Sequence, residues 1–276
     1  MSFKNRLTNL YPLQPGGTAT LTVGTGKNAP TLDQVQLTLG NGGAGVFDTT
    51  KINAVRGYMN GKLFWSPGSG SDVIKSMAYQ SRDLPSGDTA ELLLDFTEMN
   101  AKSGVEQYLS SLPLSLLQDL RFEFDIDATA SATLTMKAVA HFRAPTANPF
   151  VKKKFRTTSG FQTGGEQIVY VPNGPNGGKL VRVLIGESVP GNITQIELRA
   201  KNAVGWEQTR GQLENDQRRH YLDPQTGLVV IDFIADGNLA GWFDTSALAD
   251  VELRLTGTAA ATYTIVYEYL DPIGRL

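Results

Sequence analysis

The chain of 276 residues contains no cysteine, which removes disulfides, thiolate nucleophiles and cysteine-based zinc sites together. It has only two histidines, His141 and His220, so any imidazole acid–base or metal chemistry would have to rest on one of them. Charge is sparse: 19% of residues, with 25 Lys and Arg against 27 Asp and Glu for a net charge of −2. No basic excess exists to hold a polyanion, and no sequence-specific nucleic-acid partner is expected. Long apolar runs are missing as well. The opening MSFKNRLTNLYPLQPGG carries two bases but no signal-like apolar core, and no later segment approaches membrane-spanning length. The expectation is a chain made and used without Sec-type export. A surface this poor in charge is also a hint of assembly.

What the sequence has in quantity is glycine, proline and repetition. Its 29 Gly and 13 Pro, with 41% hydrophobic residues, suit many short strands joined by turns. Gln217 to Ile234 reads QRRHYLDPQTGLVVIDFI, and Gln80 to Thr97 reads QSRDLPSGDTAELLLDFT. Aligned without a gap, they place Gln217 on Gln80, Arg219 on Arg82, Tyr221 on Leu84, and Asp232-Phe233 on Asp95-Phe96. The flanks continue the match. Asp119 to Phe124 answers Asp250 to Leu255, and Ala132 to Met136 answers Ala261 to Ile265, all alternating as half-buried strands do. Upstream, Ile52, Val55, Asn60 and Trp65 align more loosely with Ile193, Ile196, Lys201 and Trp206. The separation drifts from about 141 to about 129 residues across Gly-rich and polar segments, as insertions in loops would make it.

The spacing therefore predicts two copies of one all-β unit: residues 1–17 as an N-terminal arm, 18–143 as the first unit, 144–160 as a proline-bearing linker and 161–276 as the second. A hairpin is expected at Asn60-Gly61. A short helix is expected over Ser71 to Gln80, capped by Ser71, with another over Val105 to Leu112. In the second unit the polar segment Arg210 to Arg219 takes the place of the first helix. Six or more strands per copy with long middle connections suit a Greek-key sandwich.

Candidate chemistry is thin. His141 closes a strand and His220 lies in a basic loop, and no nucleophile-elbow pattern accompanies either. Asp125-Ile-Asp127 and the group Asp232, Asp236 and Asn238 bring oxygens close together without the ligand spacing of a calcium loop. No cofactor is expected; calcium stays an option at Asp232, Asp236 and Asn238, where a turn is the simpler reading. Glu207 with Glu214, or Asp95 with Asp232, could be read as glycosidase carboxylates, but Asp95 and Asp232 repeat in both copies and so serve the fold. Lys152, Lys153, Lys154 and Arg156 form the concentrated basic patch, readable as a solvated linker or as a face toward phosphates. The Gly-rich runs at 40–45 and 174–178 read as turns.

The residues Ile52 to Lys62 (INAVRGYMNGK), Thr209 to Leu213, Gly227 to Gly237 and Tyr267 to Pro272 resemble the double jelly-roll major capsid proteins of tailless, internal-membrane-containing dsDNA bacteriophages, the corticovirus-like branch. The resemblance implies an all-β fold of two tandem jelly-roll sandwiches with a few short helices, and no enzyme. It further implies a structural coat protein of the virion, a homotrimer imitating a hexamer that tiles an icosahedral shell over an internal membrane. Neighbouring capsomers, viral membrane lipid and minor capsid proteins would be partners, and assembly would occur in the host cytoplasm. Arg219 recurs as Arg82 while His220 has no counterpart; Arg218, Arg219, His220 and Tyr221, the distinctive part of the stretch, are then expected at a subunit contact, and the basic patch toward the membrane. A two-module carbohydrate-binding or adhesin-like protein is the alternative, for which Trp65, Trp206 and Trp242 would be the binding aromatics.

Overall fold

The computed structural model describes residues 2–7, 10–41, 46–80, 90–146, 148, 150–161, 164–172, 178–200, 203–245 and 251–272. In the first half the elements are β1 (Ser2–Leu7), β2 (Leu10–Tyr11), β3 (Thr18–Val23), β4 (Thr31–Asn41), β5 (Ile52–Met59), β6 (Lys62–Gly68), α1 (Gly70–Tyr79), β7 (Glu91–Asp95), β8 (Leu112–Pro113), β9 (Leu120–Ile126) and β10 (Leu134–Arg143). In the second they are β11 (Phe150–Phe161), β12 (Gly165–Tyr170), β13 (Lys179–Glu187), β14 (Ile193–Ala200), β15 (Ala203–Thr209), α2 (Arg210–Arg219), β16 (Leu228–Asp232), β17 (Phe243–Asp244), β18 (Val251–Gly257) and β19 (Ala261–Pro272).

Both halves wind the same way. The first places β1-β10-β4-β7 in one sheet and β3-β9-β5-β6 in the other; the second places β11-β19-β13-β16 and β12-β18-β14-β15. Setting aside the two-residue strands, each half has its first, eighth, third and sixth strands in one sheet and its second, seventh, fourth and fifth in the other. That order is a jelly roll, and it occurs twice. Period-2 alternation fills each core. Phe122, Phe124, Val35, Leu37 and Leu94 are fully buried in the first, as are Val183, Ile185, Leu253, Tyr263 and Tyr267 in the second.

The two sandwiches are not beads on a string. β6 and β11 pair in parallel, with Lys154 opposite Trp65, and so join one sheet of each sandwich into a single ten-stranded sheet. The first half also covers the outer face of the second: Tyr79, the last residue of α1, is fully buried among Leu184, Leu222, Leu228, Val230 and Val266.

Several expectations change. The segment expected as an arm holds β1, paired from Ser2 to Leu7 along β10, because a jelly roll needs this strand to complete its first sheet. Most of the expected linker is β11, paired with β19 along its whole length; only the residues between Arg143 and Phe150 connect the halves. Helix α1 is capped two residues earlier than Ser71 suggests: Ser69 is the N-cap, in a reciprocal capping box with Asp72. Arg210 to Arg219 is a true helix, capped in the same way by Thr209 and Gln212. The second expected helix shrinks to a 3-10 turn over Glu106–Tyr108. The Asn60-Gly61 hairpin forms as expected, with φ of 52° and 75°.

The structure also corrects the alignment of the copies. Asp95 and Asp232 keep equivalent places, opposite Gln34 and Arg182 respectively. The matching capping boxes, however, put α1 on α2 in a register that leaves Gln80 and Gln217 unequal, since the connection to β7 is longer than that to β16. Cross-strand register likewise slides the last strand, making His141, opposite Gln34, the counterpart of Glu268, opposite Arg182. Arg82, Leu84 and Thr89 of the twin stretch lie outside the described residues.

Candidate functional site

The chemistry of the described residues is concentrated at the joint between the sandwiches, and alternation explains how it arises. Along β11, Phe155 turns into the second core, which directs Lys152 and Lys154 to the opposite face, where α1 and the segment after β7 lie. On that face cross-strand register lines up Lys154, Glu268, Arg182 and Asp232 on four neighbouring strands. Lys154 Nζ is 2.7 Å from Glu268 Oε2. The Arg182 guanidinium donates to Glu268 Oε1 at 2.7 Å, to Asp232 Oδ2 at 2.8 Å and to Glu98 Oε2 at 2.9 Å. Glu98 comes from the first half and also holds Lys152 at 2.6 Å. Lys152 donates in addition to the Thr97 carbonyl at 2.5 Å, and the Tyr79 hydroxyl donates to Asp232 at 3.2 Å.

Three cations and three carboxylates thus close a neutral network, with each side chain no more than 9% exposed. Burial alone would raise the Glu268 carboxyl, but Lys154, Lys152 and Arg182 outweigh it and hold Glu268 well below the usual carboxylate range. Glu98 behaves alike: burial raises it, Arg182 and Lys152 lower it, and the net direction is down. Asp232 goes the other way. It is raised, because burial leads and, among the described residues, Arg182 is the one cation paired with it. Desolvating such a cluster costs most of what its attractions return, so its contribution is geometric: moving one sandwich relative to the other would strand buried charges.

This arrangement overturns the solvent-facing or membrane-facing reading of the basic patch. Lys152, Lys153 and Lys154 are buried, at 1%, 7% and 7% exposure, because carboxylates were waiting on strands remote in sequence; Lys153 pairs with Asp271 at 2.5 Å on the opposite face. Only Arg156 is exposed. The calcium reading loses Asp232 to Arg182, while Asp236 accepts from the Asn238 amide and Lys102 in an ordinary turn. Among the described residues no group of three or more His, Cys, Asp or Glu side chains gathers as a metal would require. Glu214 is bound by Arg210 and Arg218, and Glu207 by Gln195, so neither stands as a paired catalytic acid. His141 lies between β1 and β4, its pKa lowered by burial and by Lys4. Trp65 is 1% exposed, and Trp242 stacks under Lys179, whose Nζ is 3.4 Å from the ring centroid; neither is free to bind sugar. Arg218, Arg219, His220 and Tyr221 all lie on the surface at the end of α2, with Tyr221 89% exposed at a φ of 61°.

Glu98, Arg182, Glu268 and Tyr79 escape a reading of the sequence, although two carried a signal. Arg182 interrupts the apolar run KLVRVLIG, and Glu268 interrupts VYEYL; a lone charge in an otherwise buried strand needs a buried partner.

Comparison with known proteins agrees with this geometry. Family models match in two adjoining pieces: the viral coat protein P2 N-terminal domain over residues 4–143 and the viral coat protein P2 C-terminal domain over residues 151–273. No curated protein sequence matches the chain. Among solved structures, the major capsid protein P2 of bacteriophage PM2 superposes with a TM-score of 0.86 at 17% identity, covering 99% of this chain and 98% of that one. The atomic structure of Sulfolobus Turreted Icosahedral Virus gives 0.69 at 14% identity, covering 97% and 90%. PBCV-1 VP54 gives 0.65 at 10% identity, covering 98% and 94%. At these identities the structures speak for the double jelly-roll fold. The boundary between the two family models falls where β10 ends and β11 begins, and with both halves of the chain matched, this protein belongs to the viral coat protein P2 family, as a structural capsid protein and not an enzyme.

Proposed function

We propose that the chain forms homotrimers of six-fold outline that tile an icosahedral shell over an internal membrane, and that these assemble in the host cytoplasm. The observation that carries this reading is the repeat itself. Two sandwiches of identical topology are fixed side by side in one sheet, and a ring of near-sixfold outline needs two similar wedges from each of three copies. The buried network supports it further, since a tile must hold one angle between its halves. Arg218 to Tyr221 supply an exposed contact at the end of α2, with neighbouring capsomers and minor capsid proteins as further partners. Light scattering with negative-stain imaging of the purified protein tests the proposal: trimers that form sheets or shells are expected, and a stable monomer under assembly conditions would refute it.

A further inference from the structure

The internal joint shows how one copy should meet the next. Within the chain, the fifth strand of the first sandwich, β6, pairs in parallel with the first strand of the second, β11. The counterparts of these strands are β15, fifth in the second sandwich, and β1, first in the first. Both end their sheets, and among the described residues neither has a strand on its other side. Cross-strand register identifies the matching side chains. Trp65 lies opposite Gly57 as Trp206 lies opposite Leu198, and Lys154 lies opposite Glu268 as Lys4 lies opposite His141. At the internal joint Lys154 Nζ sits 5.7 Å from the Trp65 ring centroid. Trp65 is fully buried beneath it, whereas Trp206 is only half-buried and Lys4 is exposed. The second copy of the motif therefore has both halves and no closure within one chain.

Resting on the trimer reading above, we propose that β1 of one copy adds in parallel alongside β15 of the next, setting Lys4 over Trp206 as Lys154 is set over Trp65. The same operation carries Arg219, last in α2, to the place that Tyr79, last in α1, holds over Asp232; Arg219 then meets the face bearing Gln34 and Asp95 on the next copy. The intermolecular joint is the softer of the two. Arg182 is replaced by Gln34, Glu268 by His141 and Glu98 by Ala235, so the neutral network of buried charges is confined to the joint that never opens. An interface formed from separate, hydrated molecules avoids the desolvation that such a network demands.

Absence of cysteine makes the test direct. Parallel neighbours are about 4.8 Å apart, within disulfide reach, so the double variant Lys4→Cys/Trp206→Cys, mildly oxidised as assembled full-length protein, should run as covalent trimer on a non-reducing denaturing gel. Each single variant should stay uncrosslinked alone and give covalent dimer when the two are mixed. Because Trp206→Cys could impair folding, Lys4→Glu on an exposed edge serves as a second probe. It should raise the dissociation constant of the assembly roughly tenfold, as loss of a cation–π contact and its charge would, with the melting temperature of the dissociated chain unchanged. A protein that light scattering shows to be trimeric, yet neither crosslinks at 4–206 nor responds to Lys4→Glu, overturns this joint and leaves the trimer standing. A protein that is monomeric throughout overturns both.

Discussion

Arg182 shows how much a single residue can be asked to hold. Its three carboxylate partners come from the first half, β16 and β19, so truncation would leave them buried with reduced compensation. Arg182→Ala is expected to destabilise the chain by about 3–5 kcal/mol, read as a lowered denaturant midpoint, while Arg182→Lys should recover only part, since a compact ammonium cannot span three carboxylates that the planar guanidinium reaches from three separate nitrogens. The same site sets an acid limit. Glu268 and Glu98 titrate below their unfolded values, so the stability they contribute is present above about pH 4.3 and is lost as the pH falls below it. Each such proton steepens the acid limb by about 1.4 kcal/mol per pH unit. Glu268→Gln should flatten that limb in a series of melts from pH 6 to pH 2; an unchanged slope would place the acid sensitivity elsewhere.

At the scale of elements, helix signals were partly legible. The apolar spacing of Val73 and Met77 marks the buried face of α1, but the cap is Ser69, and only the structure shows that the box with Asp72 begins there. Ser69 accepts from the Asp72 amide at 3.2 Å while the Asp72 carboxylate accepts from the Ser69 amide at 2.9 Å. Ser69→Ala should cost about 1 kcal/mol in chemical denaturation. In α2 the residues are too polar for periodicity to reveal a helix; only Leu213 and Gln217 are buried, and Gln217 is retained to donate to the Val230 carbonyl. β1 and β11 were misread for a related reason. Neither shows the alternation of a half-buried strand: β1 is exposed along nearly its whole length, and the lysines of β11 are buried against carboxylates, Glu98, Glu268 and Asp271, that are remote in sequence.

At the scale of the molecule, the ten-stranded sheet and Tyr79 in the second sandwich's outer layer couple the halves. Thermal unfolding should be a single transition in calorimetry, with van't Hoff and calorimetric enthalpies in agreement when measured on dissociated chain. Arg182→Ala is expected to split or broaden it, whereas Ser69→Ala should shift it intact. Two separate transitions in the unaltered protein would show that the joint does not transmit cooperativity.

The sequence by itself determined the two-fold repeat, the strand-rich class and the poverty of reactive groups, since period-2 alternation, turn residues and missing cysteine are local or compositional facts. It also pointed to Asp95 and Asp232 as fold residues, because each recurs at one strand end. Only the tertiary structure decided that Lys152 to Lys154 are buried, that Glu98, Asp271 and Glu268 neutralise them, and that β6 and β11 fuse two sandwiches into one body. The physical reason is the range of the interactions. Alternation is written in neighbours two residues apart, whereas a buried charge is tolerated or not according to partners that the chain brings together from its opposite halves.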